Sequence, residues 1–393
     1  MIGAGIIGLA IAHRIVTQRP GATVTVLDKE SRVGAHQSGH NSGVIHAGVY
    51  YRPGSLKARL CVAGNRSMTD FCAAHGIPAR TCGKLIVATD EAEVPRLHAL
   101  HDRARANGID AAVLTPAQAA AYEPHLRCVA AMHVPTTGIV DFVAVTRTLA
   151  HLVEQAGGQV RLGTCVTGIT ARDGGVRVTT TAGEVTGDVL VNCAGLHADR
   201  VARMAGLDPP VRIIPFRGEY YELRPERRDL VRGLIYPVPD PRLPFLGVHL
   251  TRMIDGSVHA GPNAVLATAR EGYRWSRWSP RDLGEVATWP GMWRLGHRHL
   301  RHGVSEVRRS LSRRRFAADL ARLVPEVTAA DIVPLGAGVR AQAVRRDGSL
   351  VDDFLLEFRS GQLHVLNAPS PAATSALEIA RHLVAELDRP AGA

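Results

Sequence analysis

Met1-Ile2-Gly3-Ala4-Gly5-Ile6-Ile7-Gly8-Leu9-Ala10-Ile11-Ala12 opens the chain, and the spacing of its glycines decides the fold. Gly-x-Gly-x-x-Gly suits a strand-to-helix turn around a pyrophosphate. Gly3 permits the tight turn, Gly5 lets the backbone approach the phosphates, and Gly8 lets helix and strand pack closely. The following helix offers unpaired N–H groups and the positive end of its dipole to the anion. Thr23-Val24-Thr25-Val26-Leu27 then reads as a β-branched strand ending in Asp28, 20 residues beyond Gly8, where an acid meets ribose hydroxyls, with Lys29 beside it. Together these features predict a dinucleotide site in a Rossmann-like α/β fold. Only Met1 and Ile2 precede Gly3, against about 5–6 residues in an ordinary strand, so a shortened first strand is expected.

The 393 residues leave room for two domains, or for one large domain with an insertion. A hydrophobic content of 46% with 21% charged residues can fill a core and excludes a disordered chain. No apolar run reaches the ~18–20 residues of a membrane span, and the opening residues read as a folded motif rather than a signal peptide. Cys61, Cys72, Cys82, Cys128, Cys165 and Cys193 are scattered without a Cys-x-x-Cys pair, which argues against a disulfide scaffold or a metal site and for a reducing cytoplasm. The 47 Lys+Arg exceed the 36 Asp+Glu by 11. Only Lys29, Lys57 and Lys84 are lysines, so the other 44 cations are arginines, as a GC-rich genome would favour.

The segment after Asp28 separates FAD from NAD. A nicotinamide enzyme would continue into another βα unit, whereas here a polar loop runs from Gly34 to Gly43 and leads into Val44-Ile45-His46-Ala47-Gly48-Val49-Tyr50-Tyr51. Ser38, Asn41, Ser42 and Gly43 are small or hydrogen-bonding, so such a loop can wrap phosphates and a ribityl chain and bring a flavin against His46 and Gly48. Mid-chain, Gln159–Leu162 and Gly175–Thr181 alternate as short strands around the turn Arg172-Asp173-Gly174-Gly175, and Val166 in this region is a further cofactor-facing candidate. Asp188-Val189-Leu190-Val191-Asn192-Cys193-Ala194-Gly195 reads as a buried parallel strand whose terminal Gly195 passes close to the dinucleotide, with Cys193 as a small core residue.

The polar loop from His36 to Tyr51, together with Pro215–Tyr220, Pro244–Arg252, Gly338–Ala343 and Asn367–Ala376, resembles the L-2-hydroxyglutarate dehydrogenase/oxidase family of D-amino-acid-oxidase-like FAD proteins, nearly end to end. The chain departs from that pattern at its first strand and between Arg270 and Arg315. The resemblance implies FAD-dependent oxidation of L-2-hydroxyglutarate to 2-oxoglutarate. It also implies an α/β architecture of the DAO/glutathione-reductase-2-like kind. A parallel-sheet FAD-binding domain would come from 1–84, 136–212 and 331–393, and a substrate domain with a mixed or antiparallel sheet from 85–135 and 213–330. Linkers are expected at Pro135-Thr136-Thr137-Gly138 and Pro209-Pro210, and no tandem repeat is present.

In that chemistry a 2-hydroxy acid gives its C2 hydride to flavin while a base removes the hydroxyl proton. A dicarboxylate substrate needs at least two anchors, and arginine offers a planar fork to each carboxylate. Arg340 closes the stretch Pro334–Arg340; related flavin amino-acid oxidases hold the substrate carboxylate with an Arg in the context that Gly338-Val339-Arg340 matches. Arg252 and Arg217 are candidates for the distal carboxylate, and Tyr51, Tyr220 and Tyr236 for substrate oxygens. His249 and His46 are both candidate bases, since an imidazole titrates near working pH. At the C-terminus, Leu363–Asn367 reads as a strand, Ala368-Pro369-Ser370-Pro371 as a rigid turn, and Ala372–Leu387 as a helix. With Ser370 and Ala372 at its start, that helix would aim its positive end at the flavin pyrimidine edge, where hydride transfer leaves negative charge.

Between Arg270 and Arg315 lie 12 arginines against four acids, and all four tryptophans: Trp275, Trp278, Trp289 and Trp293. Val304, Val307, Leu311, Leu320 and Leu323 recur at helical spacing among the arginines. The pattern predicts a helix lying on a membrane, hence a peripheral protein on the inner face of the cell membrane that passes electrons to a quinone or respiratory-chain acceptor. O2 as acceptor, or another hydroxy or amino acid as substrate, are the neighbouring readings. Nucleic-acid binding is the reading from another class; the basic balance fits it, but no helix-turn-helix, zinc finger or RNA-binding strand motif appears, and no nucleic-acid partner is expected.

Overall fold

Ile2 stands between two short strands, and the first sheet is built around it. Its N–H donates to the Val191 carbonyl (2.9 Å) and its own carbonyl accepts from Cys193 (2.8 Å), while Leu27 donates to Met1 (2.9 Å) and Gly3 to Leu27 (2.8 Å). The computed structural model describes residues 1–240, 247–359 and 361–387. Pro244, Phe245 and Leu246 of the family-like block lie outside it, as do the side chains of Arg301 and His302. The parallel order is Gln159–Arg161, Thr25–Leu27, Ile2, Leu190–Asn192 and Gln362–Asn367, with Leu355–Arg359 antiparallel at the edge. The shortened first strand is thus one bridging residue that completes both ladders. Gln159–Arg161 belongs to this sheet rather than to the Arg172–Gly175 turn, which joins Val166–Arg172 to Gly175–Thr180.

Helices Ile6–Gln18, Leu56–Ala74, Phe142–Gln155 and Ala376–Leu387 share one core with Val24, Val26, Val191 and Leu363 of the sheet. The first helix buries Ile6, Leu9, Ile11 and Ile15; at about 1.5–3 kcal/mol for each fully buried aliphatic side chain, this packing fixes the glycine turn that precedes it. A three-stranded antiparallel layer, Val166–Arg172, Gly175–Thr180 and Gly183–Gly187, contributes Val176 and Val178 to a second core with Ile2, Leu27 and Leu190.

The second sheet has nine strands, and its longest ladder joins Val211–Leu223 to Ile332–Arg345 in antiparallel register. Expected in the nucleotide half, Ile332–Arg345 is therefore a member of the large sheet. The order continues through Val258–Gly261, His249–Arg252, Leu234–Pro237, Lys84–Ala88, Ala130–Val134 and Ala112–Leu114. Alternation along these strands separates two cores. Leu85, Leu250 and Leu223 pack with Phe316, Leu320 and Leu323, whereas Ile86, Tyr236 and Val134 pack with Val44, Val49, Leu97 and Leu100.

The basic tract forms three helices, Pro280–Ala287, Pro290–Ser310 and Arg313–Ala321, and its apolar side chains divide between core and surface. Leu320 and Leu323 belong to the core. Trp289 is buried, donates Nε1–H to Val344 (3.0 Å), and its ring lies under the guanidinium groups of Arg212 and Arg346. Arg270, 2% exposed, forks onto the fully buried carboxylate of Asp199 and also pairs with Glu285. Removing one partner of such a pair strands the other charge. Arg270→Met, which leaves the fully buried Asp199 carboxylate without its fork, is expected to lower the unfolding free energy by about 3–5 kcal/mol in chemical denaturation, with Asp199→Ala less damaging because Arg270 keeps Glu285.

Candidate active site

One cavity of 1430 Å³ runs from the opening glycine turn to the inner face of the large sheet. A pocket for one small ligand spans about 300–1,000 Å³, so this space admits a dinucleotide and a small acid together. The turn is cut for close backbone approach. A Cβ on Gly3 (φ +105°) would lie 2.4 Å from the Cys193 carbonyl oxygen, and one on Gly8 would lie 2.1 Å from that of Gly3. Gly5 meets only the Ser38 hydroxyl, at 3.3 Å, and faces the cavity. Ser38 Oγ accepts from Ile6 N–H (2.9 Å), which leaves its own proton to donate onward. The Asp28 carboxylate accepts from Ala4 (2.7 Å) and Glu30 (2.9 Å) and keeps lone pairs on the cavity wall.

Most other predicted cofactor positions also line this space: Asn41, Ser42, His46, Val166, Gly195, Gly338, Ser370 and Ala372. Three differ in role from the expectation. Asn41 braces the loop, donating to Gln37 and Ser38 and accepting from Gly43. Gly43 does not line the cavity; at φ +63° it turns the loop where a Cβ would strike Met253 and the Val140 carbonyl. Lys29 reaches the cavity, but its ammonium is held by Glu30 and Glu271 (2.6 Å), so it serves as a clasp. The C-terminal helix begins at Ala376, not Ala372, which sits in the turn before it.

At the other end, strand alternation selects the side chains. Gly218, Tyr220, Gly338 and Arg340 line the cavity from the paired strands Val211–Leu223 and Ile332–Arg345. Arg217 projects from the opposite face, buried at 1% exposure against Glu219 (3.3 Å) and under the Trp275 ring (3.9 Å to its centroid). Arg252 likewise lies across its strand from His249, spending its guanidinium on the carbonyls of Arg228 and Val231. Neither lines the cavity, and both are corrected as anchors for the distal carboxylate.

His249 and His46 do come together at this end. Burial, opposed by the Gly247 carbonyl and assisted by Arg340 and Lys84, pushes His249 down to about 3; burial, then Lys84, His249 and Lys57, does the same to His46. Both are therefore neutral at working pH. His249 Nδ1 lies 3.1 Å from the Gly247 carbonyl, which can only accept. The proton thus resides on Nδ1, and Nε2 is left as a proton acceptor. The Tyr236 ring stacks on His249 with centroids 4.0 Å apart. His46 is fixed through its backbone, which donates to Thr374 Oγ1 (3.1 Å) and accepts from Asn65 (3.2 Å). Tyr51 also lines the wall, with the Lys57 ammonium 4.8 Å from its ring centroid.

Tyr50, Thr374, Lys57 and Lys84 were missed as site residues. The lysines carried a signal, since a chain with 44 arginines keeps only three lysines and all three stand in or behind this cavity wall.

Residues 1–387 match the family model described as DAO, FAD dependent oxidoreductase. L-2-hydroxyglutarate dehydrogenase of Escherichia coli (strain K12) is 46% identical over 388 residues, which span 98% of this chain and 92% of that protein. The mitochondrial L-2-hydroxyglutarate dehydrogenase of Mus musculus is 43% identical over 403 residues, 98% of this chain and 87% of that one. Among solved structures, dithionite-reduced L-alpha-glycerophosphate oxidase from Mycoplasma pneumoniae with FAD bound aligns at TM-score 0.80 and 22% identity, over 99% of this chain and 94% of that one. Glycine oxidase from Geobacillus kaustophilus aligns at 0.74 and 20%, over 99% and 94%. These last two share the fold.

The glycine turn, the Asp28 carboxylate and the cavity volume all fit a flavin dinucleotide. Gly8→Ala would drive its methyl into the Gly3 carbonyl, and purified protein is expected to retain less than about a tenth of the wild-type flavin, read from the visible spectrum after gel filtration.

Proposed function

The chain belongs to the L-2-hydroxyglutarate dehydrogenase family of FAD-dependent oxidoreductases, and on that footing we propose that it oxidises L-2-hydroxyglutarate to 2-oxoglutarate and passes the electrons to a quinone at a membrane surface. The observation that carries the reading is the convergence of Arg340, Tyr220 and His249 at one end of a cavity whose other end is the glycine turn.

Bound FAD supplies the two-electron acceptor for the C2 hydride. Asp28, Ser38, the Gly3–Gly8 turn and Gly195 would hold its dinucleotide portion, and the His40–His46 stretch, Gly338 and the Ser370–Thr374 turn its ring portion. Arg340 presents a fork of N–H donors to the carboxylate next to C2 and fixes its plane. The Tyr220 hydroxyl, on the facing strand just before its register shift, lies in the same wall and offers a further hydrogen bond. His249 Nε2 accepts the hydroxyl proton as the carbonyl forms, while Nδ1–H stays on Gly247 and holds the ring in plane. His249 is preferred over His46 as the base because its tautomer is set by a partner that can only accept.

Docking is supported by a face that the fold leaves bare. Trp293, Leu300, Val304, Val307 and Leu311 follow one another at helical spacing along and just past Pro290–Ser310, and all are exposed, Trp293 at 69% and Leu311 at 71%. The helix kinks at His299. Arg294, Arg298, Arg308, Arg313, Arg314 and Arg315 are exposed around this stripe, and Trp275 and Trp278 stand exposed on the preceding loop. An apolar stripe rimmed by arginines matches an anionic lipid surface, with the apolar side chains at the acyl boundary and the guanidinium groups at the headgroups. No helix among the described residues is long and apolar enough to cross a membrane. On this reading the protein docks on the cytoplasmic side of the inner leaflet.

Two measurements test these statements. L-2-hydroxyglutarate should bleach the flavin anaerobically and a soluble quinone should restore the colour faster than air; no bleaching with this acid, or bleaching by an amino acid instead, overturns the substrate, and faster recovery in air overturns the quinone. His249→Gln should keep its flavin and lose about 10²–10⁴-fold in the rate of bleaching. In flotation, the protein should rise with vesicles containing anionic lipid at low salt and stay behind with neutral ones, and replacing Leu300 and Val304 by Glu should abolish the rise.

A further inference from the structure

Lys84 is the first residue of the strand Lys84–Ala88, in the middle of the large sheet, and its side chain is 2% exposed. Its ammonium lies 4.5 Å from the ring centroid of Tyr50 and 4.9 Å from that of Tyr236. Both rings line the cavity at its reaction end, and Tyr236 stacks on His249. Among the described residues its Nζ has no hydrogen-bond or ion-pair partner. Burying an ammonium without an anion is costly, and two aromatic faces offset only part of that cost.

The other cations near this end are engaged or exposed. Lys57 is paired with Asp352 and bonded to its carbonyl (2.9 Å), and Arg96 pairs with Glu93 and Asp240. Arg103 donates to the Tyr50 carbonyl, and it and Arg52 are exposed. With Arg217 and Arg252 turned away, one charge is missing for a five-carbon diacid. Its first carboxylate meets Arg340, and the second enters a poorly solvated space that needs a counter-charge of its own.

We propose that Lys84 is that counter-charge: set behind the Tyr50 and Tyr236 rings, its ammonium makes the cavity select 2-hydroxy diacids over 2-hydroxy monoacids. The proposal rests on the substrate class put forward above and deepens it. Lys84 acts as a positioning and selectivity residue, through the rings and across a medium of low polarity where a charge is felt over several ångströms. Burial, opposed by the Cys61 thiol, brings it down to about 7, and an arriving carboxylate favours its protonated form. The sheet explains the choice of lysine over arginine, because a compact ammonium on a straight stem fits between two ring faces where a planar fork lacks partners for its five N–H groups.

The test uses the flavin-loaded enzyme and two redox-inert acids of equal chain length, glutarate and valerate, with binding read by calorimetry or by the flavin absorbance shift. Wild-type protein is expected to prefer glutarate, and Lys84→Met should cut that preference by about 30-fold or more, mainly through weaker glutarate binding. Oxidation of L-2-hydroxyglutarate should show the same loss in KM more than in kcat, whereas a 2-hydroxy monoacid should be handled much as before. A residue that merely filled space would weaken both acids alike. Because Lys84→Met removes an unpaired buried charge, thermal stability and flavin content should not fall. A glutarate preference in Lys84→Met within about 3-fold of wild type overturns the assignment of Lys84 alone. No glutarate preference in the wild type overturns the diacid reading together with it.

Discussion

The antiparallel ladder between Val211–Leu223 and Ile332–Arg345 is the constraint on which the reaction end depends. Extended chains alternate their side chains, so once Phe216 is registered with Arg340, the identity of every neighbouring cavity-facing residue is decided. Gly218 and Tyr220 turn inward with Gly338 and Arg340. Arg217 and Glu219 turn outward and neutralise one another beside Trp275. A slip of one residue would exchange these sets, bringing an ion pair into the cavity and removing the guanidinium that faces it. The register shift between Tyr220 and Tyr221 marks the place beyond which the strand pairs with Val258–Gly261 on its other edge.

The same alternation separates what was legible in the sequence from what was not. The glycine turn, Asp28 and the small-residue loop were readable because their function is a property of the local backbone. A Cβ on Gly8 would strike the Gly3 carbonyl within the same turn, so no distant residue is needed to see that constraint. Arg217 and Arg252 were misplaced because position within a block was weighed and strand parity was not. His249 and Arg252 are three apart on one strand and must face opposite ways, an inference available from the spacing once the strand is granted. The late start of the last helix at Ala376 has another cause. Ser375 accepts from Ile379 and itself donates to Pro371, so a turn takes up the residues after Pro371 before helical bonding begins. The rarity of lysine marks Lys84 in the sequence but does not place it, since Tyr50 and Tyr236 reach it from two other segments through the sheet order.

Electrostatically the two ends of the cavity differ. At the dinucleotide end, Asp28 and the Lys29–Glu30–Glu271 group mix both signs, with His36 (2.9 Å to Glu30) and His197 (2.9 Å to Glu271) among them. The hydrogen bond from His197, then Lys29, holds the Glu271 carboxyl well below the usual carboxylate range despite its burial. At the reaction end, Arg340 and Lys84 stand among the neutral imidazoles of His46 and His249 and phenols whose ionisation burial has pushed out of reach. Such a wall sets basic side chains beside uncharged imidazoles and phenols.

The basic tract joins these ends to the outer surface. Its first residues hold side chains of the dinucleotide end from behind: Glu271 binds Lys29 and His197, and the Tyr273 hydroxyl bonds His36 (2.8 Å) while its ring packs on His40 at 4.5 Å. Arg270, one residue earlier, anchors this clasp in the core through Asp199. Within about twenty residues the chain passes from that clasp to Trp293 and the exposed stripe beyond it. The arginine excess is accordingly two populations. One is internal, as Arg270 is on Asp199 and Glu285, and the other is external and rims an apolar face. A composition argument sees only their sum, and the division between them depends on which guanidinium groups find buried carboxylates. The exposed stripe and the side chains that hold Lys29, His36 and His197 thereby belong to one continuous segment.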